Sequence, residues 1–402
     1  MRPAAALATL SPVFSRRTAW LPADDLPPVS SASPVLDLTI SNPTAVGLVH
    51  PPDLYASLGD PGGAAYDPDP LGLPSARAAV AAYYAARGAA VPLDHLCLLA
   101  GTSEAYAHVL ALLCDPGDQV LVPQPGYPLL PMIADLASVE LRPYPLLYDG
   151  TWSIDLHGLE AALAAAPRAR AIALVAPNNP TGNYLSPAEL AALESLAAAR
   201  GLALVADEVF FDYPLEPVSA ASPIDATRAL TFVLSGLSKV AALPQLKLAW
   251  IAVRGPAPLV REATRRLELV ADAFLSAATP VQRAAPTLLA AAPAIQRTIL
   301  ARARTNLAAL RRACAPTTIT PLAVQAGWTA VVRLPRLHEL DGRGWSRELL
   351  HAGVLTQAGE LYDLPPAHLA LSLITPEPEF AAGLARLTAH VERVVTSGPC
   401  SR

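Results

Sequence analysis

Only two lysines, Lys239 and Lys247, occur among 402 residues, and both lie in the segment 235–250. Lysine and arginine together number 29, so 27 of the basic residues are arginine. A guanidinium stays protonated at any working pH, whereas a desolvated amine loses its proton and attacks carbonyls. An amine kept at position 239 therefore points to amine chemistry, against the plain alternative of two lysines left on a solvated face. Three further motifs carry chemical groups. Gly101-Thr102-Ser103-Glu104 stands before a helical pattern, where free backbone amides and two hydroxyls make an anion site suited to a phosphate. The same residues are also common in ordinary turns. Asn178-Asn179-Pro180-Thr181-Gly182 follows an apolar run and reads as a turn with side chains able to cap it or to face a ligand. Asp207-Glu208 closes another apolar run, and open α/β sheets place ligands at that end of a buried parallel strand.

These groups need a scaffold. Apolar runs at 96–100, 120–122, 171–175, 202–206, 230–234 and 248–253 are candidate strands, with helical patterns such as 105–114 and 187–200 between several of them. Continuous apolar strands alternating with helices indicate an α/β fold with a mostly parallel sheet covered on both faces. Ser186 and Glu189 form a capping-box pattern, with Pro187 at the first helical position. A long Ala/Leu/Arg helix is expected over 285–313. Strands at 328–334 and 369–374 and a closing helix at 380–395 then form a smaller α+β unit. The expected division is a large unit at 46–290 and a small one from 1–45 and 291–402.

Composition excludes several functions. A hydrophobic content of 52% supports a large core, and a net charge of −5 without blocks of like charge offers nothing to nucleic acid or an acidic membrane. The four cysteines, Cys97, Cys114, Cys314 and Cys400, lack zinc-ligand or disulfide-framework spacing, so no metal site is expected. The Ala-rich run at 2–14 is too short and broken for a secretion signal, and no stretch reaches a membrane span, so the expected location is the cytoplasm.

In order and spacing the motifs resemble the class I/II aminotransferases, fold-type I enzymes that use pyridoxal 5′-phosphate (PLP). Two more segments extend the resemblance across nearly the whole chain. Tyr66 through Gly72-Leu73-Pro74 to Arg77 is similar to the family's Tyr…Gly-Leu-Pro-x-x-Arg, and Gly117-Asp118 through Pro125-Gly126-Tyr127-Pro128 to its Gly-Asp-x-Val…Pro-x-Tyr-Pro. The resemblance implies an aspartate-aminotransferase-like fold with a smaller α+β domain, and PLP held by Lys239 as a Schiff base, with Lys239 also the base acting at the substrate's Cα. It implies that Asp207 pairs with the pyridine nitrogen, Asn179 donates to the phenolic oxygen and Tyr127 stacks on the ring. Gly101, Thr102, Ser103 and Ser238 would form the phosphate site. Tyr66 would reach the phosphate of a partner subunit, which implies a homodimer with shared active sites.

Three positions depart from the family pattern. Phe210 stands where the family has a tyrosine whose hydroxyl donates to the cofactor, and Tyr213, three residues on, is a substitute only if the turn geometry allows it. Lys247 replaces the family's phosphate-binding arginine, giving a point charge in place of a planar fork. Ala370 occupies the place of the arginine that grips the substrate carboxylate. Arg16, Arg17 and Arg333 are candidate replacements, an unusual substrate is the alternative, and a shifted alignment is the third. Glu360 is a candidate side-chain contact or a solvated loop carboxylate, while His108 and Trp250 read as packing residues. The expected function is transfer of an amino group between an amino acid and a 2-oxo acid. A lyase, oxidase or cyclising enzyme on the same cofactor is the alternative, and a PLP-binding regulator without turnover is the alternative of another class.

Overall fold

A computed structural model describes residues 13–20, 34–66, 68–337 and 340–397. Most of the 2–14 run, Asp67 of the Tyr66 segment and Cys400 lie outside the described residues. The apolar runs form an eight-stranded sheet in the spatial order Leu96–Leu99, Ala249–Arg254, Thr231–Gly236, Ala203–Asp207, Ala169–Val175, Gln119–Gln124, Glu140–Tyr148 and Trp152–Ile154. Six of these strands run the same way; Ala249–Arg254 and Trp152–Ile154 oppose them. Every residue of Ala203–Asp207 and of Thr231–Gly236 is buried, as expected of strands covered on both faces.

The strand Glu140–Tyr148 was not among the expected runs, because it carries Pro143 and Pro145 and buries only alternate residues such as Tyr144 and Leu146. Its prolines precede the stretch that pairs outward, so that edge asks for no amide from them. The helix Pro187–Arg200 begins and ends as its sequence reads. Ser186 Oγ accepts from the Glu189 amide at 3.2 Å, Glu189 returns the bond to the Ser186 amide at 2.8 Å, and Gly201 closes the helix at φ +63°.

The long helix is Thr279–Cys314, 36 residues with Pro286 and Pro293 inside it. Its first part packs with Trp250, Tyr84 and Leu243, and its last part (Leu307, Leu310, Cys314) enters a separate core with Trp345 and Phe380. That second core lies beneath an antiparallel sheet of Thr320–Pro321, Thr329–Arg333, His368–Ser372 and Gln357–Ala358. The N-terminal stretch Leu36–Asp37 pairs in parallel with Val354–Leu355 beside it. Among the described residues, no helix is long and apolar enough to cross a membrane.

Candidate active site

The C-terminal ends of the parallel strands meet the small sheet around a cavity of about 290 Å³. Thr102, Tyr127, Asn179, Asp207, Phe210, Ser238 and Lys239 all line it. A second hollow adjoins it and is lined by Gly101, Thr102, Ser103, Ser238 and Lys247, so Thr102 and Ser238 face both. The strands explain the convergence: Asp207 ends one, Asn179 follows the next, and Lys239 sits in the short helix Leu237–Val240 after a third.

Asp207 and Glu208 part company because successive residues at a strand end point to opposite sides. Asp207 faces the cavity. Glu208 is fully buried behind it, paired with Arg87 at 3.0 Å and accepting from Ser222. Burial raises the Asp207 pKa to about 6, opposed by the Val209 amide, the Tyr106 hydroxyl and the charge on Lys239. The Val209 amide donates to Asp207 Oδ1 at 3.1 Å. Burial lowers the Lys239 pKa to about 8, with the Asp207 charge working against it. The Lys239 Nζ lies 4.8 Å from the centre of the Trp328 ring and 5.4 Å from that of Phe210. Tyr127 has its hydroxyl pushed up to about 12, first by burial and then by the Asp207 charge.

The phosphate-like hollow is built by the helix Thr102–Leu113. Its cap residue Gly101 supplies no side-chain hydrogen bond, and the Glu104 carboxylate turns back to accept from the Ala100 amide at 2.6 Å. The amides of the first turn are thus left to a ligand. A methyl group added at Gly101 would stand 3.4 Å from Lys247 Nζ, which places the second lysine at the same hollow.

Tyr66 lies elsewhere: it is 71% exposed and lines neither hollow of its own chain. Tyr213 is fully buried, donates to the Lys239 carbonyl and packs edge-on against Trp328 at 5.0 Å. Its hydroxyl is therefore committed and does not replace the one missing at Phe210. Arg333 ends the strand Thr329–Arg333 and is exposed, whereas Thr329 at the other end lines the cavity. Arg16 and Arg17 are exposed, and Arg17 donates to the Leu136 carbonyl on the outside of the fold. None of these three arginines lines the cavity.

Glu360 lines neither hollow and is half-buried. It accepts from the Gly342 amide at 2.7 Å, at the start of the helix Gly342–His351. The loop that carries it reaches the cavity through Gln357 and Tyr362, which the sequence analysis passed over in favour of the charged residue. Thr39, Ser41, Trp328, Thr329 and Ser372 were also missed. They belong to segments far apart in sequence, and only the pairing of 34–41 with the small sheet brings them together. His108 and Trp250 are packing residues: His108 lies against Phe274 with ring centres 4.8 Å apart, and Trp250 donates to the Tyr84 hydroxyl at 3.0 Å.

The profile of the family described as aminotransferase class I and II matches residues 36–381. The glutamate-pyruvate aminotransferase AlaA of Escherichia coli strain K12 is 31% identical over 260 residues, 63% of this chain and 63% of that protein. A mouse tyrosine aminotransferase is 28% identical over 64% of this chain and 58% of its own length. These matches span less than two thirds of the relatives they align with. Among solved structures, an alanine aminotransferase from Pyrococcus furiosus superposes with a TM-score of 0.83 at 20% identity, covering 90% of this chain and 93% of its own. The fold is thus the aspartate-aminotransferase-like fold-type I architecture, and the family works with PLP. The chain belongs to the class I and II aminotransferases.

Proposed function

We propose that the protein is a PLP-dependent aminotransferase that moves an amino group between an amino acid and a 2-oxo acid. The observation that carries this reading is the presence of a buried carboxylate, Asp207, and a half-buried amine, Lys239, in one cavity joined to an uncapped helix N-terminus. Asn179 lines the same cavity with a carboxamide whose Nδ2 can donate to a ring oxygen. A ring with a cationic nitrogen, a hydroxyl and a phosphate answers these groups together.

In this reading Lys239 attaches PLP, Asp207 holds the ring nitrogen protonated and Asn179 meets the ring hydroxyl. Tyr127 covers the ring face, while Gly101, Thr102, Ser103, Ser238 and Lys247 hold the phosphate. PLP supplies an electron sink for the bond broken at the substrate's Cα. Lys239 Nζ takes the Cα proton and later returns one, a task suited to an amine whose pKa burial has brought to about 8. The large unit, 46–290, then carries the cofactor, and the small unit, 1–45 and 291–402, supplies the far wall. We place the enzyme in the cytoplasm.

Purified protein loaded with PLP, given ¹⁵N-labelled amino donors and a 2-oxo acid, is expected to yield a labelled new amino acid. Borohydride is expected to fix the cofactor on Lys239; an adduct on Lys247, or none, overturns the reading. Consumption of donor with loss of a group and no labelled product assigns the lyase, oxidase or cyclising alternative.

The same reading makes the enzyme a homodimer, with Tyr66 completing the partner's phosphate site. Light scattering at micromolar concentration should give twice the chain mass, and an active monomer would disprove it.

Phe210 carries a further prediction. A hydroxyl donating to the ring's phenolic oxygen stabilises its anionic, unprotonated form. Installing one by Phe210→Tyr should lower the pKa of the bound cofactor's visible band by about one pH unit, the equivalent of ~1.4 kcal/mol. An unchanged titration would mean that another donor already occupies the place.

A further inference from the structure

Among the described residues, no arginine lines the cavity where the family's carboxylate grip would stand, and what stands there instead is a built neutral arrangement. In the strand His368–Ser372, Leu369 and Leu371 enter the core beneath with Trp345 and Phe380. Ala370 and Ser372 therefore share the other face, and Ser372 lines the cavity. Ala370 is fully buried and lies directly across the sheet from Gln357. Gln357 lines the cavity too, and its Oε1 accepts from the Tyr362 hydroxyl at 2.6 Å. That bond orients the carboxamide, and Gln357 Nε2 makes no hydrogen bond with the described residues. Asp207 and Lys239 are the charged groups among the described residues lining the cavity, and both are assigned to the cofactor in the reading above.

We infer that Gln357, oriented by Tyr362, is the specificity-determining residue at the far wall, and that it recognises the substrate's α-substituent through a neutral hydrogen bond and not through a cation. This rests on the aminotransferase reading and deepens it. A guanidinium grips a carboxylate by charge and by a planar fork, and so rejects neutral groups of the same shape. A carboxamide donor lacks that charge requirement, so a carboxamide or a hydroxymethyl group can be held in the place of a carboxylate. The amino donors are accordingly a class that includes amino amides and amino alcohols beside amino acids.

The test uses PLP-loaded full-length protein and two amines, 2-methylalanine and its carboxamide, that can exchange with Lys239 on the cofactor but cannot pass on their amino group through loss of a Cα proton, because their Cα bears no hydrogen. Titrating the visible band gives a dissociation constant for each, and the two are expected to agree within about tenfold, a difference of roughly 1.4 kcal/mol. Gln357→Glu, nearly isosteric, should weaken the carboxylate relative to the amide by about 30-fold or more. Gln357→Met should weaken both by similar factors. The cofactor's borohydride adduct and the thermal midpoint serve as controls for folding in each variant. A carboxylate preferred over its amide by more than about 100-fold in the unmodified protein would show that a cation, from the partner subunit or the N-terminal segment, holds it, and would overturn the inference. A Gln357→Met variant that binds both ligands as before overturns it as well. Absence of any visible band or adduct would instead sink the aminotransferase reading beneath it, so the two failures are distinguishable.

Discussion

Lys239→Ala is expected to bring amino transfer below about one ten-thousandth of its original rate. A positioned acid–base group alone contributes roughly 10²–10⁴-fold, and loss of the covalent attachment adds to that. The helix N-terminus at Thr102 and the carboxylate of Asp207 remain, so PLP should still bind, reversibly and without a borohydride adduct. Steady-state rates beside equilibrium dialysis of PLP separate these effects, and a variant retaining a hundredth of the activity would remove Lys239 from its assigned task. The unmodified chain offers a pH signature of the same group. Burial sets its amine at about 8, so covalent uptake of PLP by cofactor-free protein should rise about tenfold per pH unit up to that value and level off above it. An ordinary exposed lysine would keep rising toward 10.5.

Asp207→Asn should act in opposite directions on activity and on the stability of the cofactor-free chain. Removing the charge that faces the ring nitrogen in a closed site should lower kcat/KM by about 30-fold to several thousand-fold. Without cofactor, however, that charge is a burden. Burial lifts Asp207 from 3.8 to about 6 in the folded chain. Between those values the folded chain holds a proton that the unfolded chain has released, so stability falls as pH rises through the window and stays lower above it. Two pH units correspond to about 3 kcal/mol. The neutral amide escapes this penalty, so PLP-free Asp207→Asn should be more stable than its parent at pH 7.5 by on the order of 2–3 kcal/mol, with the gap closing near pH 4. Urea unfolding at the two pH values checks it; equal gaps at both would contradict the sign.

The residues proposed to hold the cofactor could be picked out because they sit at the ends of apolar strands, where local sequence determines both the element and the exit point. Asn179, Asp207 and Lys239 each follow a run whose burial is continuous, and the structure places all three in one cavity. The wall proposed to face the substrate was legible only in part. Ala370 was identified as an absence, but the residue across from it depends on strand register between Gln357–Ala358 and His368–Ser372, which is a tertiary fact. Charge misled the reading of the intervening loop, since Glu360 is spent on the start of a helix while uncharged Gln357 and Tyr362 face inward. Arg333 was a reasonable cation by type, yet it stands four residues along its strand from Thr329, which places it at the far end. The strand Glu140–Tyr148 was hidden by its prolines for a similar reason: only its place near the sheet edge makes them tolerable.

The stitching of the chain's beginning to its end also orders events during synthesis. Leu36–Asp37 pairs with Val354–Leu355, the Ser372 amide donates to the Leu38 carbonyl, and the Ser372 hydroxyl donates to that of Ile40. Every residue assigned to PLP leaves the ribosome before or with Lys247, whereas the wall holding Thr39 and Ser41 in place waits for more than a hundred further residues, through Ser372. At roughly 5–20 residues per second, that interval lasts several seconds or longer. Contacts this distant in sequence are also the slowest to close once the chain is free. The wall proposed to select among substrates is therefore the last part of the site that the nascent protein completes.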